Sequence, residues 1–210
     1  PSTALPTTRW PGDAMRSLPA HDQTHLITLP DGTLTLGDLW PAPGETPLWA
    51  AIVGGKTAPD AINNGHFYHG PIGQRQLGRL QTAGLFSPTD APFQDLQAAA
   101  GGIAFMNLSQ IPRSKDDPET MTLMREGAAR VERELASRDV ELVISMWRHG
   151  TRELLGSEGR PGFQHAHSSW GAEVFRMPSP YARAIEAVAV MDELAGWLEH
   201  NKLGVHAPRG

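Results

Sequence analysis

Three short apolar runs, WAAIVG (49–54), GIAFMNL (102–108) and VELVISMW (140–147), constrain this chain more than any other feature. Each is too short for a packed helix and too continuously apolar for a strand with one wet face, so each reads as a strand buried on both sides. A further strand is expected at 171–176. Helical patterns lie between and after these runs, at about 72–84, 92–100, 119–138, 149–156 and 184–201. Two of them carry apolar residues at helical spacing: Leu123, Ala128, Val131 and Leu135, then Ile185, Val188, Met191, Leu194 and Leu198. Strands alternating with helices predict the α/β class, a mostly parallel sheet with helices on both faces. Functional loops then lie beyond the carboxyl ends of the strands, which selects Lys56–Pro71, Ser109–Pro118 and Met177–Arg183.

The 210 residues suit a single domain of this kind. Residues 1–47 hold 8 of the 18 prolines and the turn signals Asp31-Gly32 and Pro43-Gly44, so 1–46 reads as a loop-rich lead-in flanking or packed on a domain spanning 47–210. The chain has no cysteine, which excludes disulfides, thiolate nucleophiles and Cys-ligated zinc. No apolar run reaches the ~18 residues of a membrane helix and no signal-peptide core opens the chain, so a cytoplasmic protein without membrane partners is expected. His165 and His167 stand two apart, but no nearby carboxylate completes a ligand set with them, and neither metal nor cofactor is expected. The net charge of −5 argues against a nonspecific coat for nucleic acid. A local basic face remains open, since Lys56, Arg75, Arg79, Arg113, Lys115, Arg148, Arg176 and Arg183 recur near the selected loops; solvated surface is the alternative. Arg148 and His149, where a strand hands over to a helix, could meet a phosphate there.

Gly54-Gly55-Lys56-Thr57 spells the end of a phosphate-cradling loop. The motif also requires a glycine five positions before the second one, and that position is Ala50. Residues 49–53 read as strand rather than loop, and Pro59 interrupts the helix that would have to follow the lysine. A nucleotide loop is therefore not expected.

GHFYHGP (65–71), GIAFMNLSQIPRSKDD (102–117) and MPSPYAR (177–183) together resemble the family of thymine-DNA glycosylases and mismatch-specific uracil-DNA glycosylases. In that family a strand ends in GINPG, a Gly-His-x-Tyr-x-Gly-Pro segment begins nine residues after its Asn, and MPSSSAR or NPSGLSR follows near the C-terminus. Here Lys56 stands at the Asn position and Gly65 lies nine residues on. The resemblance covers about residues 47–200. It implies a three-layer α/β/α sandwich and a monomeric DNA-repair enzyme of the nucleoid that excises uracil, or other mismatched or modified pyrimidines, from duplex or single-stranded DNA. Such an enzyme must extrude its target nucleotide and hold the flipped base on an aromatic or apolar surface. By resemblance Gly55, His66 and Tyr68 bind the base, with Tyr68 stacking on it. Met177, Pro178, Ser179, Tyr181 and Arg183 form the DNA-probing loop, with Tyr181 as the wedge that fills the vacated space.

The catalytic position departs from the family, because Lys56 and Thr57 replace the Asn that positions the attacking water and the Pro after it. Phe105 also replaces a polar residue that relatives often place beside the base. Glycosidic cleavage passes through an oxocarbenium-like sugar and is helped by a carboxylate that activates water. Asp60 is the only carboxylate between Trp49 and Pro71. The expectation is that Asp60 activates water, with Lys56 orienting it or stabilising the departing base. The alternatives are that Asp60 is a turn residue and Lys56 a solvated one, or that Lys56 attacks the sugar through a Schiff base. That last route needs a neutral amine, which a nearby Asp60 would oppose. A non-catalytic lesion-binding protein of the same fold is the other reading of the lost Asn.

Overall fold

The computed structural model describes residues 25–44, 46–165 and 170–206. Residues 1–24 and 45 of the expected lead-in lie outside them, as does His167 of the histidine pair. The described chain opens with a hairpin, β1 (Leu26–Thr28) and β2 (Leu34–Leu36), which turns at Asp31-Gly32. There the Asp31 carboxylate accepts the Thr33 N–H and Gly32 takes a φ of 87°. The α/β body follows: β3 (Ala50–Lys56), α1 (Pro59–Asn64), α2 (Pro71–Thr82), α3 (Gln94–Ala100), β4 (Ile103–Ser109) and α4 (Pro118–Ala136). Then come β5 (Leu142–Ser145), α5 (Arg148–Leu155), β6 (Gly162–Phe163), β7 (Glu173–Arg176) and α6 (Ala184–Asn201).

The central sheet has the order β4-β3-β5-β7-β6, with the first four strands parallel and β6 antiparallel at the edge. Burial on both faces is written into β3. Ala50 and Ile52 pack with Leu77, Leu80, Leu194 and Leu198 of α2 and α6, while Ala51 and Val53 pack with Met124, Val131 and Leu154 of α4 and α5. Alternate residues of one strand thus feed two cores, and the result is the expected α/β/α sandwich.

Four features differ from the sequence expectation. Residues 59–64, read as loop, form α1: Pro59 at its first position begins the helix instead of breaking it, because the proline nitrogen there needs no partner. Strand β6 was not foreseen, since two residues carry no periodicity. Ile185 and Val188, expected in the core, are 77 % and 56 % exposed, and the burial begins at Ala187 and Met191 instead. The hairpin was also unforeseen, and residues 34–40 join the body directly: Leu36 is a core residue and Leu39 exchanges two backbone hydrogen bonds with Phe105 across the outer edge of β4.

Helix α4 lies unusually close to β4 at Gly127, where a Cβ would stand 1.7 Å from the Leu108 carbonyl oxygen. Gly78 on α2 has nothing within 4 Å of the same position. Alanine is the better helix former by ~1 kcal/mol, so Gly78→Ala should hold or raise stability. Gly127→Ala should lower it by about 1–3 kcal/mol or more, because backbone must move to admit the methyl. Paired denaturant melts check the contrast.

Candidate functional site

The carboxyl ends of β3 and β4 set the geometry through their register, which places Gly54 beside Asn107 and Lys56 beside Ser109. A Cβ on Gly54 would stand 2.3 Å from Asn107 Oδ1 and 2.5 Å from the Tyr68 hydroxyl. A Cβ on Gly55 would project to the other face, 2.7 Å from Trp147 Cε3 and 2.9 Å from Met124 Sδ. Gly54 therefore lies on the Tyr68 side, and Gly55, expected to touch a base, is turned toward the α4–α5 layer.

Tyr68 follows the left-handed turn that closes α1 at Gly65 (φ 72°) and is itself left-handed, with a φ of 55°. That conformation is disfavoured for a non-glycine residue. Gly73 accommodates it, since a Cβ there would lie 2.4 Å from the Tyr68 carbonyl oxygen. The ring lies 6.3 Å from Phe105 and 6.5 Å from Phe67. Tyr68 is half-buried with its hydroxyl directed at Gly54, and burial pushes the phenol well above its ordinary value of 10.0.

His66 is buried, stacks on Phe93 at 3.6 Å and brings Nδ1 to 3.2 Å from both oxygens of Asp95. The Asp95 carboxylate also accepts the backbone N–H groups of Phe67 and Leu96, at 2.8 and 2.9 Å. Burial alone would raise its pKa, but the imidazoles of His25 and His66 beside it outweigh that and hold the group down at about 2. A cavity of about 220 Å³, lined by His66, Tyr68, Leu77, Phe93 and Gln94 among others, opens beside the two rings. It is smaller than the ~300–1,000 Å³ of drug-sized ligand sites.

Lys56 does not meet Asp60. Its ammonium donates to the Lys115 carbonyl at 2.8 Å and pairs with the Asp116 carboxylate, so it fastens the β4–α4 loop. The reason is register: β4 is the parallel neighbour of β3, and the loop leaving it passes Lys56 at the strand end. Arg113 N–H donates to the Thr57 carbonyl in the same crossing. Asp60 stands exposed in the first turn of α1, and no hydrogen bond or ion pair to its carboxylate is formed among the described residues.

The Met177–Arg183 loop is held by α2. Gln76 donates to the Pro178 carbonyl at 2.9 Å, Arg79 to Ser179 at 3.0 Å and Arg75 to Pro180 at 3.2 Å. Met177 is anchored in the core, Pro178 is buried and Ser179 is exposed. Tyr181 stands 76 % exposed at the tip, and Arg183 pairs with Glu186 at the start of α6. Arg148 and His149 do open α5, but Arg148 Nε donates to His149 Nε2 at 3.3 Å and His149 faces Glu158 at 3.0 Å.

Two site residues escaped the sequence reading. Asn107 is buried near the end of β4, donates to Thr57 Oγ1 at 3.1 Å and carries its carbonyl oxygen toward Gly54 and Tyr68. A polar residue in an otherwise apolar strand was the signal available. Asp95 gave none, because an acid in a short helix reads as solvated surface. Tyr68 thus lines the cavity, while the Asn107 amide lies buried at the Gly54 end of β3. No protein-family model matches the chain, and no curated protein matches it either.

The Tyr68 phenol holds its proton more tightly folded than unfolded, so the sign of its linkage is definite. Its contribution is complete below the unfolded value near 10 and is lost as pH rises from there toward the folded value. The loss should approach ~1.4 kcal/mol per pH unit for one proton. Tyr68→Phe should flatten the alkaline fall in stability, read from urea melts between about pH 8 and pH 11; an unchanged slope would place the hydroxyl in water.

Proposed function

We propose that this protein is a monofunctional DNA glycosylase that hydrolyses the N-glycosidic bond of a flipped-out uracil or a related modified or mismatched pyrimidine. The observation that carries this reading is Tyr181, an aromatic ring 76 % exposed on a loop whose three preceding carbonyls are pinned by Gln76, Arg79 and Arg75. An aromatic ring presented to solvent on a loop held in place by α2 suits a wedge that enters a base stack. The guanidinium groups that pin the loop remain charged and suit flanking phosphates. Tyr68 then stacks the extruded base, and Asn107 offers its amide to the edge of the ring.

In this reading Lys56 shapes the site by holding the 110–117 loop, and Asp60 is the group proposed to activate water. Its exposure and its carboxylate, free of described partners, support that role. A repair role places the protein with DNA in the nucleoid. The engagement of Lys56 with Asp116 where relatives carry the catalytic Asn favours a second reading, a lesion-binding protein of the same fold without hydrolysis.

Incubation with uracil-containing duplex and single-stranded oligonucleotides, followed by alkali, decides between them. Strand scission is the expected result, whereas binding without scission supports the second reading and the absence of both discards each. With scission in hand, Asp60→Asn should leave DNA affinity unchanged while slowing single-turnover excision by roughly 10²–10⁴-fold; full activity would remove Asp60 from the chemistry.

The wedge has its own signature. Tyr181→Ala should reduce excision more on duplex than on single strands, since only the duplex must be opened and propped. Equal losses on the two substrates would point to misfolding instead.

A further inference from the structure

Three parts of the chain that are distant in sequence bring potential ligand atoms together away from the strand ends: His25 before β1, His66 after α1 and Asp95 in α3. We propose that His25, His66 and Asp95 bind a divalent transition-metal ion, Zn²⁺ by preference, which fastens the N-terminal hairpin to the segment carrying Tyr68.

The distances suit such an ion. His25 Nε2, His66 Nδ1 and an Asp95 oxygen all lie within 4.8 Å of one another. His25 Nε2 stands 3.5 Å from Asp95 Oδ2 and His66 Nδ1 stands 3.2 Å from it. Zinc bonds of about 2.0–2.2 Å in a tetrahedron put neighbouring ligand atoms about 3.3 Å apart, between these two values. Two imidazoles with one carboxylate are a borderline-soft set that suits zinc over magnesium or calcium.

The surroundings are built as a metal site requires. The Asp95 side chain is fully buried, with those of His66 and His25 3 % and 12 % exposed. Ligating carboxylates are usually hydrogen-bonded by an outer shell, and Asp95 already accepts the N–H groups of Phe67 and Leu96. Stacking on Phe93 fixes the His66 ring. The His25 backbone is tied at both ends, its N–H to the Gly65 carbonyl at 2.9 Å and its carbonyl to the Gly37 N–H at 2.8 Å.

Two buried atoms make no hydrogen bond of ordinary geometry: His25 Nε2, which faces Asp95 Oδ2 at 3.5 Å, and Gln94 Oε1, on the neighbour of Asp95. His66 also lines the cavity, so a water there would complete a fourth position. An ion held by these residues would clamp the backbone ahead of Tyr68, because Phe67, between His66 and Tyr68, is bonded to the same carboxylate.

The test uses the full chain freed of metal by chelation. Calorimetry with Zn²⁺ and visible spectroscopy with Co²⁺ should give one ion per chain and the absorption of a tetrahedral cobalt centre. At a hundredfold excess over Kd, Zn²⁺ should raise Tm by about 5–10 °C. His25→Ala keeps the backbone bonds and should fold, yet bind at least tenfold more weakly and lose the Tm response. Asp95→Asn should lose binding too, whereas His165→Ala should bind as the parent does. Three results overturn the proposal: no stoichiometric binding at micromolar Zn²⁺, undiminished binding by His25→Ala, or loss of binding in His165→Ala. The first two would leave the trio as a carboxylate held between two imidazoles.

Discussion

Gly54 and Gly55, just before the last residue of β3, leave no side chain on either face, and both outer layers use the opening. On one side the Tyr68 hydroxyl and the Asn107 amide occupy space that a Cβ would take; on the other, Trp147 and Met124 do the same. Each contact is closer than real Cβ atoms tolerate, so larger residues at these positions would push the site's aromatic ring and the α4–α5 layer away from the sheet. The left-handed backbone of Tyr68 and the close approach of Gly73 depend on the same economy of space. A strained conformation of this kind persists only where neighbours over-determine it.

Around that centre, two charged side chains are answered close by. Asp95 is compensated by two imidazoles and two backbone N–H groups. Lys56 is compensated by Asp116 and a carbonyl, which turns a strand-end cation into a fastener for the loop after β4. The same lysine closes the position where the resembling family keeps a catalytic Asn. The proposed chemistry therefore shifts to Asp60, and the structure leaves that carboxylate accessible at the start of α1.

The Met177–Arg183 loop and the first turns of α6 form a different kind of surface. Tyr181, Ile185 and Val188 recur at helical spacing and are all largely exposed, beside Arg75 and Arg79, which pin the loop's carbonyls. Rigid display of apolar side chains among cations matches the proposed entry into a base stack, because loop order is established before DNA arrives and need not be imposed on binding.

The layer order was legible from hydrophobic periodicity alone. The runs at 49–54, 102–108 and 140–147 became β3, β4 and β5, since continuously apolar segments of that length can be buried only between two helical layers. Tyr68 and Tyr181 were marked only through the resemblance of GHFYHGP and MPSPYAR to the glycosylase family. What it could not indicate is which residues meet. Lys56 lies four residues from Asp60 but sixty from its partner Asp116, because parallel register carries the β4–α4 loop past the end of β3. His25, His66 and Asp95 come from three separated segments; resemblance marked His66 as a base-binding residue, while His25 and Asp95 each read as an ordinary polar residue. Burial turned them into a cluster, and burial is a property of the packed tertiary structure: local propensity selects helices and strands, while the approach of layers decides which charges must find one another.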